Sequence, residues 1–190
     1  MNYTVHLDTA ELDKLAAYLD NYADTFQHKV QMFLLRLADL AIDVAQVNEG
    51  VFAGYIIYSK KFEGKNSLYM MAKDREEITN TWYVSATSKT THSEAISPIL
   101  MAEFGSGHYA IKGKGGIGGQ GTLNKYGHAF DANGWYWWTD DPSSLDGTLK
   151  AVKEGRFKFH SDGIAPAQPL HKAAMACIKQ VEGIAHEVFG

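Results

Sequence analysis

Between Leu12 and Val47 the apolar residues Leu12, Leu15, Leu19, Ala23, Phe26, Val30, Phe33, Leu37, Leu40, Val44 and Val47 follow one another at steps of three or four. That spacing places them on one face of an α-helix and on no single face of a strand. The chain is therefore committed to a long amphipathic helix before anything else is read. As one rod the span would be about 55 Å long at 1.5 Å per residue. Asp8 is a good N-cap, Glu11 completes a capping box, and Leu7 and Leu12 stand where a hydrophobic staple would place them. Gly50 is the expected stop. Asp20, Asn21 and Asp24 compete with the helical backbone, so a break is expected near 20–24. An apolar face of this width suits a core helix and suits packing on neighbouring subunits equally well.

The other end carries the same signal. Pro169 fits a first helical position, and Leu170, Ala174, Cys177, Val181, Ala185 and Val188 again step by three and four. Cys177 is the sole cysteine, so no intramolecular disulfide can form. It reads as a small apolar residue on that helix face.

Between the helices the pattern changes. The segments 54–62, 67–72 and 81–87 are rich in aromatic and β-branched residues and are separated by polar turns such as 63–66. They read as strands of an antiparallel sheet. Ser97 and Pro98 then open a helix of about two turns. Gly105 closes it, in a position that needs a left-handed backbone. Residues 106–162 are Gly-rich and aromatic, with strands expected at 135–138 and 156–160. They read as a loop-rich insertion carrying a hairpin, inside a single domain spanning 1–190. The expected fold is α+β: a long N-terminal helix and a C-terminal helix packed on a small antiparallel sheet.

Composition excludes several classes. With a net charge of −4 and scattered Lys and Arg, nothing supports wrapping a duplex by charge. The N-terminal stretch lacks a basic region followed by an apolar run, so no signal peptide is expected. No apolar run reaches the ~18–20 residues of a membrane span.

The chemistry-bearing patterns are weak. Gly113, Gly115 and Gly118, and again Gly116, Gly118 and Gly121, match G-x-G-x-x-G. Neither match follows a convincing buried strand or opens an amphipathic helix, as a dinucleotide site needs. No Walker lysine motif is present. The run reads as a flexible arm. His108 and His128 flank it, but no Cys or Asp completes a ligand set, so neither metal nor cofactor is expected. Glu103, Asp140 and Asp141 are the carboxylates near the aromatic segment, and 139–144 reads as a turn. Glu103 lies near a helix C-terminus, where the dipole disfavours an anion, so a basic or N–H partner is expected. Ser106 lacks the G-x-S-x-G frame of a nucleophile elbow. The segment 135–138 places Trp135 and Trp137 on one strand face and Tyr136 and Trp138 on the other. One face is expected to fill a core and the other to touch a partner protein. The alternative is a carbohydrate-binding or hydrolytic protein that uses Trp135–Trp138.

Two motifs carry a resemblance. A Pro-initiated helical run ends in Glu103, Phe104, Gly105, Ser106 and Gly107. Gly163, Ala165, Pro166, Ala167, Pro169 and Leu170 then lead into the terminal helix. Together with the leading helix and strands, this resembles the minor tail-component or neck proteins of long-tailed bacteriophages, found at the head-to-tail junction. The family often has Thr where Ser106 stands and Arg where Gln168 stands. The resemblance implies a non-enzymatic virion protein, assembled in the host cytoplasm, that joins or completes the tail. It further implies a homo-oligomeric ring contacting other connector or tail proteins, with DNA passing through its lumen without specific binding. The candidate contact residues are then Glu103, Phe104, Gly105, Ser106 and Gly107 with Trp135, Tyr136, Trp137, Trp138, Pro166 and Pro169.

Overall fold

A computed structural model describes residues 8–76, 78–107, 109, 134–144 and 147–190. The Gly-rich run 113–121, the His108/His128 pair and the staple residue Leu7 lie outside these residues.

The class is α+β, with the antiparallel strands divided over two sheets. Helix α1 spans Thr9–Gln46, and the Asp8 carboxylate accepts from the Glu11 N–H at its start. The helix is continuous through 20–24, so the expected break is absent. Asp and Asn cost well under about 1 kcal/mol each in a helix interior, and the surrounding Leu and Ala favour the helix. Its end comes at Gln46 with Val47 as C-cap, ahead of Gly50, which opens a 3-10 turn at Gly50–Phe52.

Strands β1 (Ile56–Phe62) and β2 (Leu68–Asp74) form a hairpin, with Ile56 opposite Asp74 and Phe62 opposite Leu68. The short helix α2 covers Pro98–Phe104, and α3 covers Pro169–Phe189. Ser97 caps α2, and Gly105 ends it at φ 71°. Asp74 adds to the cap, because its carboxylate accepts from the Ser97 hydroxyl and the Ile99 N–H at 2.7 and 2.9 Å. In this way the end of β2 fixes the start of α2.

Helix α3 lies along the C-terminal half of α1. Ala173 packs with Ala41 and Ala45, Cys177 donates to the Leu37 carbonyl, and Phe189 meets Phe33 and Phe26. Alanines at the crossing let the two backbones approach closely. A second cluster of Phe52, Ile56 and Ala102 sits under α2. Tyr58 packs against both clusters. Its hydroxyl is buried without a hydrogen-bond partner among the described residues. Burial first, then the carboxylates of Glu49 and Glu103, push its pKa well above the usual tyrosine value.

The second sheet has five strands in the order β4-β3-β5-β7-β6. These are β3 (Ile78–Tyr83), β4 (Thr91–Ile96), β5 (Trp135–Thr139), β6 (Thr148–Lys153) and β7 (Arg156–Ser161). Strand β3 begins and ends earlier than the 81–87 alternation predicts. The 135–138 and 156–160 strands are present, paired with Trp137 opposite Phe159. The β6–β7 hairpin turns on Glu154 and Gly155, both at positive φ (54° and 79°), as a two-residue primed turn requires.

Arg156 knits this sheet to the loop after β3. Its guanidinium stacks 3.4 Å from the Tyr83 ring centroid. It also donates to the Ala86 and Ser88 carbonyls at 2.9 and 2.6 Å and pairs with Asp140 at 3.1 Å. Only a planar, multi-donor group can do all of this. Arg156→Ala is expected to cost about 2–3 kcal/mol in chemical denaturation. Arg156→Lys is expected to recover less than half of that loss. Full rescue by lysine would refute the stacking-and-fork account.

Candidate interaction site

The two motifs, some 60 residues apart in the chain, meet in space. Glu103 is buried at 5% exposure and aims across at the start of α3. Its carboxylate oxygens accept from the Leu170 and His171 N–H groups at 2.8 and 3.1 Å. The expected N–H partner is therefore supplied by another helix. Those amides would otherwise be orphan donors at a helix N-terminus, where negative charge is favoured. Helix α3 starts on Gln168, held at φ 58°, whose side chain makes no cap hydrogen bond. Glu103 does the capping in its place.

The rest of 103–107 lies flat against 161–167. Ser106 accepts from the Ile164 N–H through its hydroxyl at 2.9 Å and donates its own N–H to the Ile164 carbonyl at 2.8 Å. The Ala102 carbonyl receives the N–H groups of both Ala167 and Gln168. A Cβ on Gly105 would stand 2.7 Å from the Ile164 oxygen, and one on Gly107 2.6 Å from the Asp162 oxygen. The glycines are there because two backbones touch. Pro98 and Pro169 are fully buried beside this clasp.

Glu103, Gly105, Ser106, Gly107 and Pro169 thus face inward, and Phe104 and Pro166 are half-buried. Their contacts hold α2, the end of β7 and the start of α3 together. Around Trp135–Trp138 the two strand faces differ. Trp137 is 6% exposed and stacks on Phe159, with Trp135 beside it. On the other face Tyr136 is 58% exposed, between His160 and the Lys158 ammonium, with Trp138 half-buried nearby.

The three carboxylates named near the aromatic segment each have partners within the fold. Glu103 caps a helix, Asp140 binds Tyr83 and Arg156, and the Ser143 hydroxyl and N–H hold the Asp141 carboxyl below its ordinary value. Burial pushes the Cys177 thiol up, away from the thiolate a nucleophile requires. Among the described residues there is no group of three or more His, Cys, Asp or Glu placed to hold a metal. None of their helices is long and apolar enough to cross a membrane.

Among the described residues, the largest run of exposed apolar side chains is on α1. Every residue from Thr9 to Phe26 is exposed, a projecting arm about 27 Å long. Leu12, Leu15, Tyr18, Leu19, Tyr22 and Phe26 are between 46% and 66% exposed. Helical spacing could reveal that an apolar face existed here. Which half of it α3 covers is settled by the tertiary structure alone. No family model, no curated protein and no solved structure matches this chain.

Proposed function

We propose that this chain is a structural subunit of a long-tailed bacteriophage particle, at the head–tail junction or the tail end, as a neck or tail-completion component. It acts by association: with copies of itself in a ring, and with connector or tail proteins on either side. The observation that carries the reading is the α1 arm. A helix that leaves six large apolar side chains in water has a use only as a contact surface. The resemblance of the two motifs to those of the neck proteins supports the same reading, and in this chain the two motifs form a clasp that holds α2, the end of β7 and the start of α3 together. The acidic net charge of −4 suits a lumen through which DNA passes, because like charges repel.

Two measurements test the proposal. Light scattering of the purified chain is expected to show a higher oligomer, and electron microscopy of particles carrying a tagged copy is expected to place the tag at the junction or tail end. A chain that stays monomeric and never enters particles overturns it.

A further inference from the structure

We infer that the face of the five-stranded sheet carrying Tyr136 binds single-stranded nucleic acid, without regard to sequence. The inference goes beyond the assembly reading and is tested independently of it.

Strand register puts the relevant side chains together. Tyr136 and Trp138 alternate with Trp135 and Trp137 along β5, so they share a face. Their partners across the ladder are His160 and Lys158 on β7, and Trp138 also stands opposite Tyr83 on β3. On β6, Lys153 lies opposite Arg156. The Lys158 ammonium is 4.6 Å from the Tyr136 ring centroid and 5.9 Å from that of Trp138. Tyr136 is 58% exposed, and Trp138 and Lys158 are half-buried.

The charge of these strands runs against that of the chain. Strands β5, β6 and β7 contain Lys150, Lys153, Arg156 and Lys158 and not one Asp or Glu. The chain as a whole has 22 acidic and 18 basic residues. Carboxylates stand at the margins. Asp140 neutralises Arg156, Asp162 lies 3.9 Å from His160, and Glu154 is in the β6–β7 turn. The sheet's remaining strand carboxylate, Glu94, belongs to β4 at the far edge. Among the described residues no ion pair engages Lys153 or Lys158.

The chemistry selects the ligand. A ring with an ammonium beside it offers a flat apolar surface and a partner for an anion. A single strand presents a base and a phosphate at every nucleotide, so it uses both. A duplex keeps its bases stacked inside and offers phosphates alone, and a chain of net charge −4 has no wide basic surface to hold them. An acidic peptide would meet the cations and leave the rings unused. A sugar would meet the rings, but it also needs acceptors beside them, and the Lys158 ammonium only donates. Two residues of strand advance about 7 Å, so Tyr136 and Trp138 can each take a separate base. Every base has a π-face, so stacking tolerates any sequence.

Fluorescence anisotropy with the full chain and a labelled single strand of about 15 nucleotides tests this at about 50 mM salt. Saturable binding is expected, at least about tenfold tighter than to the matching duplex. Tyr136→Ala is expected to weaken it about tenfold with the salt dependence unchanged. Lys158→Ala is expected to lower the slope of log K against log salt by about 0.7, the share of one phosphate contact. Circular dichroism checks that each variant stays folded. Should a variant unfold, quenching of wild-type tryptophan fluorescence by the strand and not by polyphosphate decides in favour, and equal quenching decides against. Absence of binding overturns the inference, as does a duplex held as tightly as the single strand. Wild-type affinity in Tyr136→Ala also overturns it. So does displacement of the strand by polyglutamate or polyphosphate at matched charge, which would mark a merely electrostatic patch. None of these outcomes bears on whether the chain enters particles.

Discussion

Glu103→Ala is expected to lower the stability of the fold by about 3–4 kcal/mol, and the midpoint of thermal unfolding by roughly 10 °C. The carboxylate is 5% exposed and accepts the first N–H groups of α3 from Leu170 and His171. Losing an N-cap costs about 1 kcal/mol where water can take its place. Here water is excluded, so two donors go unsatisfied at about 1–3 kcal/mol each, and a cavity is added. Glu103→Gln keeps one acceptor oxygen but turns an amide toward an N–H group, and about 2 kcal/mol is expected. Chemical denaturation followed by helical circular dichroism measures both. A loss below about 1 kcal/mol for the alanine variant would mean that the cap is not carrying α3.

Gly163→Ala is expected to be more severe, at about 4 kcal/mol or more, and to leave little folded protein. Gly163 sits at φ 105°, where L side chains are strained, and its Cβ would collide with the Ser106 carbonyl oxygen. The neighbour that must give way is backbone, held by its own hydrogen bonds to Ile164. Gly64 is the control. It too has a positive φ, 71°, but nothing lies within 4 Å of its Cβ position. Gly64→Ala is expected to cost about 1 kcal/mol, from backbone conformation alone. Soluble expression and thermal unfolding of the two variants separate the accounts. Equal effects would show that backbone contact at the clasp contributes nothing.

Both predictions concern residues whose local role is visible in the sequence and whose partners are not. Glu103 near a helix end needs a donor on dipole grounds alone. That the donor is a helix beginning at Pro169 depends on how the chain returns. Gly105 reads as a helix stop, and at φ 71° it is one. Its second duty, letting 103–107 lie against 161–167, is a contact across the fold that no local pattern encodes. Strand β4 (Thr91–Ile96) is missed for a related reason. It is polar and short, and it is a strand because its residues register against β3. Strand β6 (Thr148–Lys153) is exposed along its whole length and shows no alternation in burial. Its partner β7 and the positive-φ turn at Glu154–Gly155 hold it in place.

By itself the sequence determined the parts whose physics is local. Apolar steps of three and four made α1 and α3, Asp8 and Ser97 capped two helices, and the aromatic and β-branched runs made strands. These depend on neighbours within one or two turns, so they are legible from the chain. Only the tertiary structure decided which apolar residues find cover. Val44 and Leu12 belong to one periodic face, yet Val44 packs beside Ala173 while Leu12 stands 46% exposed. Periodicity says that a face seeks a partner. The length of α3, 21 residues against the 38 of α1, says where the supply within this chain stops.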